Sequence, residues 1–212
     1  WNLWVAGKAC FGTGWRMKHY RDHYFQNAKQ EDYPASSVYQ LQEMQKKFFL
    51  LQTGNAVLDL GAAPGSWSLF AAQQVGKRGR VLAVDRQAVD RDWPAQVRFV
   101  QGDLLHPDAV LSQALAAWAP FDVLISDMAP QTTGIKLRDQ TLSFELAQGA
   151  FDCCAGNLAR GGRFVTKIFE GPDVPELIAA MRQRFARVKG FTPKSSRDES
   201  KETFLLGFGY RG

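Results

Sequence analysis

Short runs of apolar residues alternate with segments of helical periodicity along most of the 212-residue chain. The apolar runs are rich in Val, Leu, Ile and Phe, as is typical of strands that are buried on both faces. Strands that are separated by helices cannot pair as hairpins, and they form a parallel sheet that the helices cover. The sequence therefore predicts a single α/β domain with a doubly wound, mostly parallel sheet of seven strands.

Strand and helix alternate regularly until the last third of the chain. The predicted strands cover residues 56–60, 80–85, 97–103, 121–127, 163–169, a segment near Val188, and 202–210. The predicted helices cover residues 34–51, 65–75, 107–117, 137–158 and 174–185. Because no helix separates the last two strands, at least one of them is expected to be antiparallel.

Composition narrows the class of protein. A hydrophobic content of 45% and a charged content of 22% are ordinary for a globular domain. No apolar run reaches the roughly 18 residues that are needed to cross a bilayer, and basic residues interrupt the start of the chain. The three cysteines and three histidines do not have the spacing of a metal module. We expect a cytoplasmic monomer with reduced thiols and no metal.

Residues 1–16 differ from the rest of the sequence. They contain three Trp and three Gly, without a helical or strand period, and Met17 begins a polar, basic stretch. We interpret residues 1–16 as an extension or leader, and residues 17–212 as the folded domain.

Positive charge is concentrated at the two ends of the chain. Residues 1–49 contain seven Lys and Arg against four Asp and Glu, and residues 182–212 contain eight against three. The central residues 50–181 contain eleven against fourteen. A fold that joins the two ends would present a basic surface suited to a phosphate backbone, although a merely solvated surface is the alternative. The candidate basic residues are Lys46, Lys47, Arg182, Arg184, Arg187, Lys189, Lys194, Arg197 and Lys201.

Small and acidic residues follow the first four predicted strands, where a doubly wound sheet binds its ligands. Gly61 and Gly65, in the segment DLGAAPGSW (59–67), allow the backbone to pass close to a ligand. Asp85 is placed to accept hydrogen bonds from the two hydroxyls of a ribose, Asp103 to accept from an adenine amino group, and Asp127 ends the fourth strand. Nicotinamide enzymes share part of this pattern, but the loop lacks their G-x-G-x-x-G motif.

The motifs together resemble the FtsJ family of ribose 2′-O-methyltransferases over residues 17–212. The matching segments are DLGAAPGSW (59–67), SDMAP (126–130), GGRFVTKIFEG (161–171) and PKSSRDESKETFLLG (193–207). The resemblance implies S-adenosylmethionine as cofactor, with contacts from Gly65, Trp67, Asp85, Asp103 and Asp127. It also implies an RNA substrate, namely a uridine of large-subunit ribosomal RNA within the ribosomal particle.

The resemblance further implies a catalytic Lys-Asp-Lys-Glu set. Its last three members correspond to Asp127, Lys167 and Glu202, but Gln40 stands where the first lysine belongs, and Ser36 replaces an arginine. Lys167 would act either as the base for the ribose hydroxyl or as a cation that stabilises the developing alkoxide. The loss of the first lysine predicts a weakened enzyme.

Three other functions remain open from the sequence. A transfer RNA substrate keeps the chemistry and changes the RNA. A non-catalytic RNA-binding or assembly protein would explain Gln40 and Ser36, and a nicotinamide-dependent oxidoreductase would use a similar glycine loop. Methylation of an amino group is disfavoured, because the fourth strand ends in DMAP (127–130) and lacks the D/N-P-P-aromatic turn common to that chemistry.

Overall fold

The computed structural model describes residues 33–195 and 202–212. The predicted extension 1–16, the histidines His19 and His23, and the basic residues Arg197 and Lys201 lie outside the described residues. None of the helices in the described ranges is long and apolar enough to span a bilayer.

Within the described ranges, seven strands form one sheet in the order β3-β2-β1-β4-β5-β7-β6. The strands are β1 (Ala56–Leu60), β2 (Arg80–Asp85), β3 (Val97–Gln101), β4 (Phe121–Ser126), β5 (Leu158–Phe169), β6 (Phe185–Phe191) and β7 (Glu202–Tyr210). Strands β1 to β5 pair in parallel, whereas β7 is antiparallel to both β5 and β6. The predicted fold class, the number of strands and the antiparallel end of the sheet are therefore confirmed.

Helices cover both faces of this sheet. They are α1 (Val38–Phe48), α2 (Ser66–Val75), α3 (Ala109–Trp118), α4 (Lys136–Asp152) and α5 (Val174–Arg184), with a short 3-10 turn at Gly76–Arg78. Alternate strand residues point to opposite faces. One set packs under α1 and α2, and the other packs under α3, α4 and α5. The sheet edge that faces the candidate site thus lies between two filled apolar layers.

The long predicted helix 137–158 ends earlier, at Asp152, and Leu158 begins β5 instead. A turn in which Gly156 has a φ of 78° separates the two elements, and the side chain of Asn157 donates to the carbonyl of Cys153. Leu158 has the correct spacing for the apolar face of the helix, but it pairs with Phe121 of β4. Tertiary pairing has overridden the helical period at this point.

Helix α1 also differs from its predicted extent, because it begins at Val38 rather than near Pro34. The residues before it are held by α2. The amide of Ala35 donates to Ser66 Oγ at 2.7 Å, and Trp67 Nε1 donates to the carbonyl of Ser37 at 2.9 Å. These two bonds fix the start of α1 beside the glycine loop after β1.

Candidate active site

A cavity of about 890 Å³ opens at the carboxyl ends of strands β1 to β4. Four of the predicted site residues line it, namely Gly61, Asp85, Asp103 and Asp127. They follow four neighbouring strands and meet because the strands are parallel. The volume lies in the range of cavities that hold nucleotide-sized ligands.

The backbone of the loops after β1 and β2 orients the carboxylate of Asp85. Its Oδ2 accepts from the amide of Ala63 at 2.9 Å, and its Oδ1 accepts from the amide of Gln87 at 2.7 Å. A carboxylate has about four lone-pair sites, so each oxygen retains capacity for a further donor. The carboxylate is thus held in one orientation, with acceptor capacity left for a ligand.

Asp103 is fixed in the same manner one strand further along the sheet. Its Oδ1 accepts from the amide of Leu105 at 2.9 Å, and its Oδ2 lies 3.5 Å from Nε of Arg86. Gly102 connects this residue to the second strand, since its amide donates to the carbonyl of Asp85 at 2.8 Å. Asp85 and Asp103 are therefore oriented along adjacent parts of one cavity wall.

The glycines of the loop after β1 have different surroundings. Gly61 has a φ of 76°, and a Cβ at this position would come within 2.7 Å of Met128 Cγ, so only glycine fits. Gly65, with a φ of 111°, does not line the cavity. A Cβ there would meet the ring of Trp93 at 2.9 Å.

Trp67 is packed inside the fold and is not among the residues that line the cavity. Its ring lies 5.8 Å from that of Phe204, and its indole nitrogen bonds the carbonyl of Ser37. The structure therefore places Trp67 where it fixes the start of α1, on the sheet face opposite to α3, α4 and α5.

Lys167 and Asp127 meet because of strand register. Ser126 of β4 pairs with Thr166 of β5, so the next residue of each chain segment lies beside the other on the same face. Lys167 Nζ donates to Asp127 Oδ1 at 2.7 Å, which is the length of a charge-assisted hydrogen bond. The predicted burial of Lys167 beside Asp127 is confirmed.

The environment of Asp127 alters its acidity. Burial raises the pKa of this carboxyl above its usual value of 3.8, while the neighbouring Lys167 opposes the rise. The carboxylate of Glu202 raises the pKa of Asp127 further, and a hydrogen bond with the Ser37 side chain lowers it. Asp127 is thus a more basic carboxylate than an exposed one.

Gln40 and Glu202 form the other half of the candidate catalytic set. Gln40 lies in the first turns of α1, Glu202 begins β7, and Gln40 Nε2 is 3.5 Å from Glu202 Oε2. Glu202 pairs in the sheet with Phe169, two residues beyond Lys167. All four predicted catalytic positions therefore meet at one end of the face that α1 covers.

Several residues that complete the site are not apparent from the sequence. Ser37 and Ser66 tie the start of α1 to the loop, as described above; Ser66 lies within the motif DLGAAPGSW, but the motif does not indicate its bond to the amide of Ala35. Asp59 is fully buried in β1 and accepts from Ser68 Oγ at 2.5 Å, and burial raises its pKa to about 7. Its acidic character was visible in the motif, but its burial was not.

The model of the FtsJ-like methyltransferase family matches residues 33–210. The chain belongs to the FtsJ-like methyltransferase family. One relative is a protein of Nitratidesulfovibrio vulgaris named ribosomal RNA large subunit methyltransferase E, which is 57% identical over 92% of this chain and 96% of its own length. A protein of the same name from Lawsonia intracellularis is 49% identical over 92% of this chain and 98% of its own length.

The fold of this FtsJ-like methyltransferase is also found among solved structures. A structure described as a ribosomal RNA methyltransferase of Plasmodium falciparum superposes with a TM-score of 0.74. It covers 85% of this chain and 100% of its own, at 22% sequence identity. At that level of identity the likeness supports the fold, and the chemistry is argued from the residues of this methyltransferase.

Proposed function

We propose that the chain is an S-adenosylmethionine-dependent methyltransferase that modifies a ribose 2′-hydroxyl in large-subunit ribosomal RNA, acting as a cytoplasmic monomer. The observation that carries the proposal is the buried pair of Lys167 and Asp127 at the edge of the cavity. The cavity can hold a nucleoside cofactor that carries the alkyl group. The buried lysine beside it can assist the alcohol that accepts this group.

The residues of the cavity suit S-adenosylmethionine. Asp85 and Asp103 are preoriented acceptors for ribose hydroxyls and an adenine amino group, and Gly61 admits close backbone approach. S-adenosylmethionine held there would supply a methyl group on a sulfonium sulfur, and a neutral thioether would be the leaving group. Asp127 lines the same cavity, so it connects the cofactor end of the site to Lys167.

Lys167 is the residue that meets the 2′-hydroxyl. Held by Asp127, Lys167 Nζ acts either as the base that accepts the hydroxyl proton as the oxygen–carbon bond forms or as a cation that stabilises the developing alkoxide. The ribose hydroxyl is a weak acid, so a base in contact with it lowers the barrier of the displacement. Asp127 also fixes the position of Nζ by its 2.7 Å contact.

Gln40 and Glu202 orient the substrate side of the site. The amide of Gln40 faces Glu202 and is a donor and acceptor of fixed geometry, but it contributes no positive charge. A lysine at this position would offset the negative charge of Glu202 and of the developing alkoxide. The proposed enzyme therefore stabilises its transition state less than a relative with the complete lysine set.

Ribosomal RNA is the substrate that the relatives favour. Proteins 57% and 49% identical to this chain are named for methylation of large-subunit ribosomal RNA. Transfer RNA is the competing substrate from the sequence, and nothing in the described residues favours it over ribosomal RNA.

The test is methyl transfer from labelled S-adenosylmethionine to large ribosomal subunits that lack their own modification, with transfer RNA as the competing substrate. We expect label in large-subunit RNA at a ribose, recovered as an alkali-resistant dinucleotide. Thermal unfolding with S-adenosylhomocysteine and with NAD is the binding control, and only the former should raise the unfolding temperature. Cofactor binding without transfer to any RNA would instead favour the non-catalytic alternative.

A further inference from the structure

A basic surface with one exposed aromatic side chain lies at the far edge of the sheet. It is formed by the end of α1 and by the edge strand β6, and we call it the edge patch. Its members are Lys46, Lys47, Phe49, Arg187 and Lys189, all of which are exposed. Both charge-rich ends of the sequence contribute to it, which confirms that the fold brings residues of these two segments together.

Phe49 is the unusual member of the edge patch. Its side chain is 68% exposed, and its backbone has a φ of 52° and a ψ of 50°, in the left-handed region that residues with a Cβ rarely adopt. A glycine would end the helix here with less strain, and a polar side chain would be better solvated. Exposure and backbone strain at the same aromatic residue together indicate a role outside the stability of the fold.

The conformation of Phe49 is held by its neighbours. The amide of Phe49 donates to the carbonyl of Gln45 at 2.9 Å. The side chain of Gln45 bonds both the amide and the carbonyl of Leu51, each at 2.8 Å. The turn that presents Phe49 is therefore preorganised, which lowers the entropy lost when a ligand covers the ring.

Beneath the edge patch lies a rigid aromatic layer. The ring of Phe48 contacts those of Phe191 and Phe208, with centroids 5.4 Å and 5.9 Å apart. Lys47 Nζ lies 4.6 Å from the centroid of Phe191, and the guanidinium of Arg187 lies 4.5 Å from that of Phe208. These cations are thus positioned by cation–π contacts.

The charges of the edge patch have no carboxylate partners in the described part of the chain. The ion pairs within residues 33–195 and 202–212 join Arg86 to Asp103 and Lys167 to Asp127. Glu43, the one acidic residue of α1, accepts from the amides of Lys194 and Ser195. Among the residues that the structure describes, no carboxylate competes with an external anion for the four cations of the edge patch.

We infer that the edge patch binds an unpaired stretch of the ribosomal RNA substrate, with one base stacked on Phe49 and phosphates on the surrounding cations. The inference rests on the proposed function and extends it to a second RNA contact away from the reacting nucleotide. An exposed aromatic ring amid cations is the arrangement by which proteins hold single-stranded nucleic acid. A protein partner whose surface has an ordinary mixture of charges would leave the four cations of the edge patch without anionic partners.

The edge patch is connected to the active site by α1. Gln40 and Phe49 are nine residues apart, or about 13 Å along a helix with a rise of ~1.5 Å per residue. A strand of a few nucleotides is long enough to span that distance. The RNA strand that carries the methylated ribose can therefore reach both places.

The principal test is Phe49→Gly, which removes the ring and relieves the backbone. We expect the variant to unfold at the same or a higher temperature than the wild type, yet to bind a protein-free fragment of large-subunit RNA about tenfold more weakly. The reduction in methyl transfer should appear as a higher KM for the RNA. Phe49→Trp should restore binding, because it restores a stacking surface.

Val110→Ala is the matched control, since Val110 is 61% exposed on α3 and lies outside the edge patch. Lys46→Ala and Lys189→Ala should each reduce the slope of log affinity against log salt concentration by about one. Val110→Ala should alter neither the affinity nor the slope.

Unchanged RNA affinity in Phe49→Gly, or an equal loss in Val110→Ala, would overturn the inference and leave the proposed function standing. A loss seen with intact ribosomal subunits and not with protein-free RNA would also overturn it, because the contact would then be with a ribosomal protein. The binding comparison is independent of methyl transfer, so an inactive wild type counts only against the proposed function.

Discussion

Lys167 Nζ lies 2.7 Å from Asp127 Oδ1, and the two side chains are 9% and 14% exposed. The contact follows from the pairing of Ser126 with Thr166, so it is set by the backbone of two parallel strands. A buried pair of this kind is sensitive to the loss of either member. Burial also raises the pKa of Asp127, which allows this carboxyl to become neutral when its partner is removed.

Replacement of Lys167 by Met should abolish methyl transfer while the protein still folds. We expect the rate to fall by about a hundred- to ten-thousandfold, the range for loss of an acid–base group. The raised pKa of Asp127 favours protonation of this carboxyl once Lys167 is gone, which limits the cost of a buried charge without a partner. The measurement is methyl transfer to large-subunit RNA, with S-adenosylhomocysteine binding as the control for the intact cofactor site.

Lys167→Arg separates the two roles open to this residue. Arginine keeps the positive charge but does not release its proton in a protein. If Lys167 is the base, the arginine variant should be as inactive as the methionine variant. A rate within tenfold of the wild type would show that Lys167 acts through its charge alone.

Gln40→Lys should increase the rate of methyl transfer by about tenfold. The new ammonium group would lie beside Glu202, where it offsets the charge of the developing alkoxide. Gln40→Met is the matched control, since it has similar volume and no charge, and it should not increase the rate. A lysine variant slower than the wild type would contradict the proposed weakness of the natural site.

Trp67→Phe tests whether this tryptophan contacts the cofactor or positions α1. The variant keeps an aromatic ring near Phe204 but leaves the carbonyl of Ser37 without its donor, at a cost of about 1 kcal/mol. We expect a lower unfolding temperature and a lower kcat, with unchanged affinity for S-adenosylhomocysteine. A weaker affinity by calorimetry would instead support the direct contact implied by the family resemblance.

Asp59→Asn should flatten the dependence of stability on pH. Burial raises the pKa of Asp59 from 3.8 to about 7, so the folded protein holds a proton that the unfolded chain has lost. The associated stability is present below pH 4 and disappears as the pH rises towards 7, a loss of roughly 4 kcal/mol. Asparagine does not titrate, and its amide keeps a partner for Ser68.

The measurement for Asp59 is urea unfolding of both proteins at pH 5 and pH 8. The variant should gain stability relative to the wild type on going from the lower to the higher pH. Contributions from titrating groups that do not interact with Asp59 cancel in this difference, and parallel pH dependences would refute the shift.

Much of this structure was predictable from the sequence. The periodicity of short apolar runs gives the strands, and their alternation with helices gives the parallel sheet, because both depend on local patterns. The acidic residues after β1 to β4 lie together for the same reason, since parallel strands end at one edge. The antiparallel β7 followed from the absence of a helix between the last two strands.

Several features that depend on tertiary contact were not predicted from the sequence. Leu158 satisfies the helical period but belongs to a strand, because Phe121 offers a pairing that only the folded sheet supplies. Burial of Trp67 against Phe204, and of Asp59 under α2, likewise depends on neighbours far away in sequence. The motif DLGAAPGSW contains both Trp67 and Asp59, but it does not specify which atoms they contact.

The start of α1 is attached to α2 through the amide of Ala35 and the carbonyl of Ser37. Both are main-chain groups, and only the amide is missing in a proline. Side chains at positions 36 and 40 take no part in that attachment. Substitution of either side chain therefore leaves in place the two bonds that hold the start of α1. The serine and the glutamine found there can be exchanged one at a time in a series of variants, against a constant background of main-chain contacts at the entrance of the site.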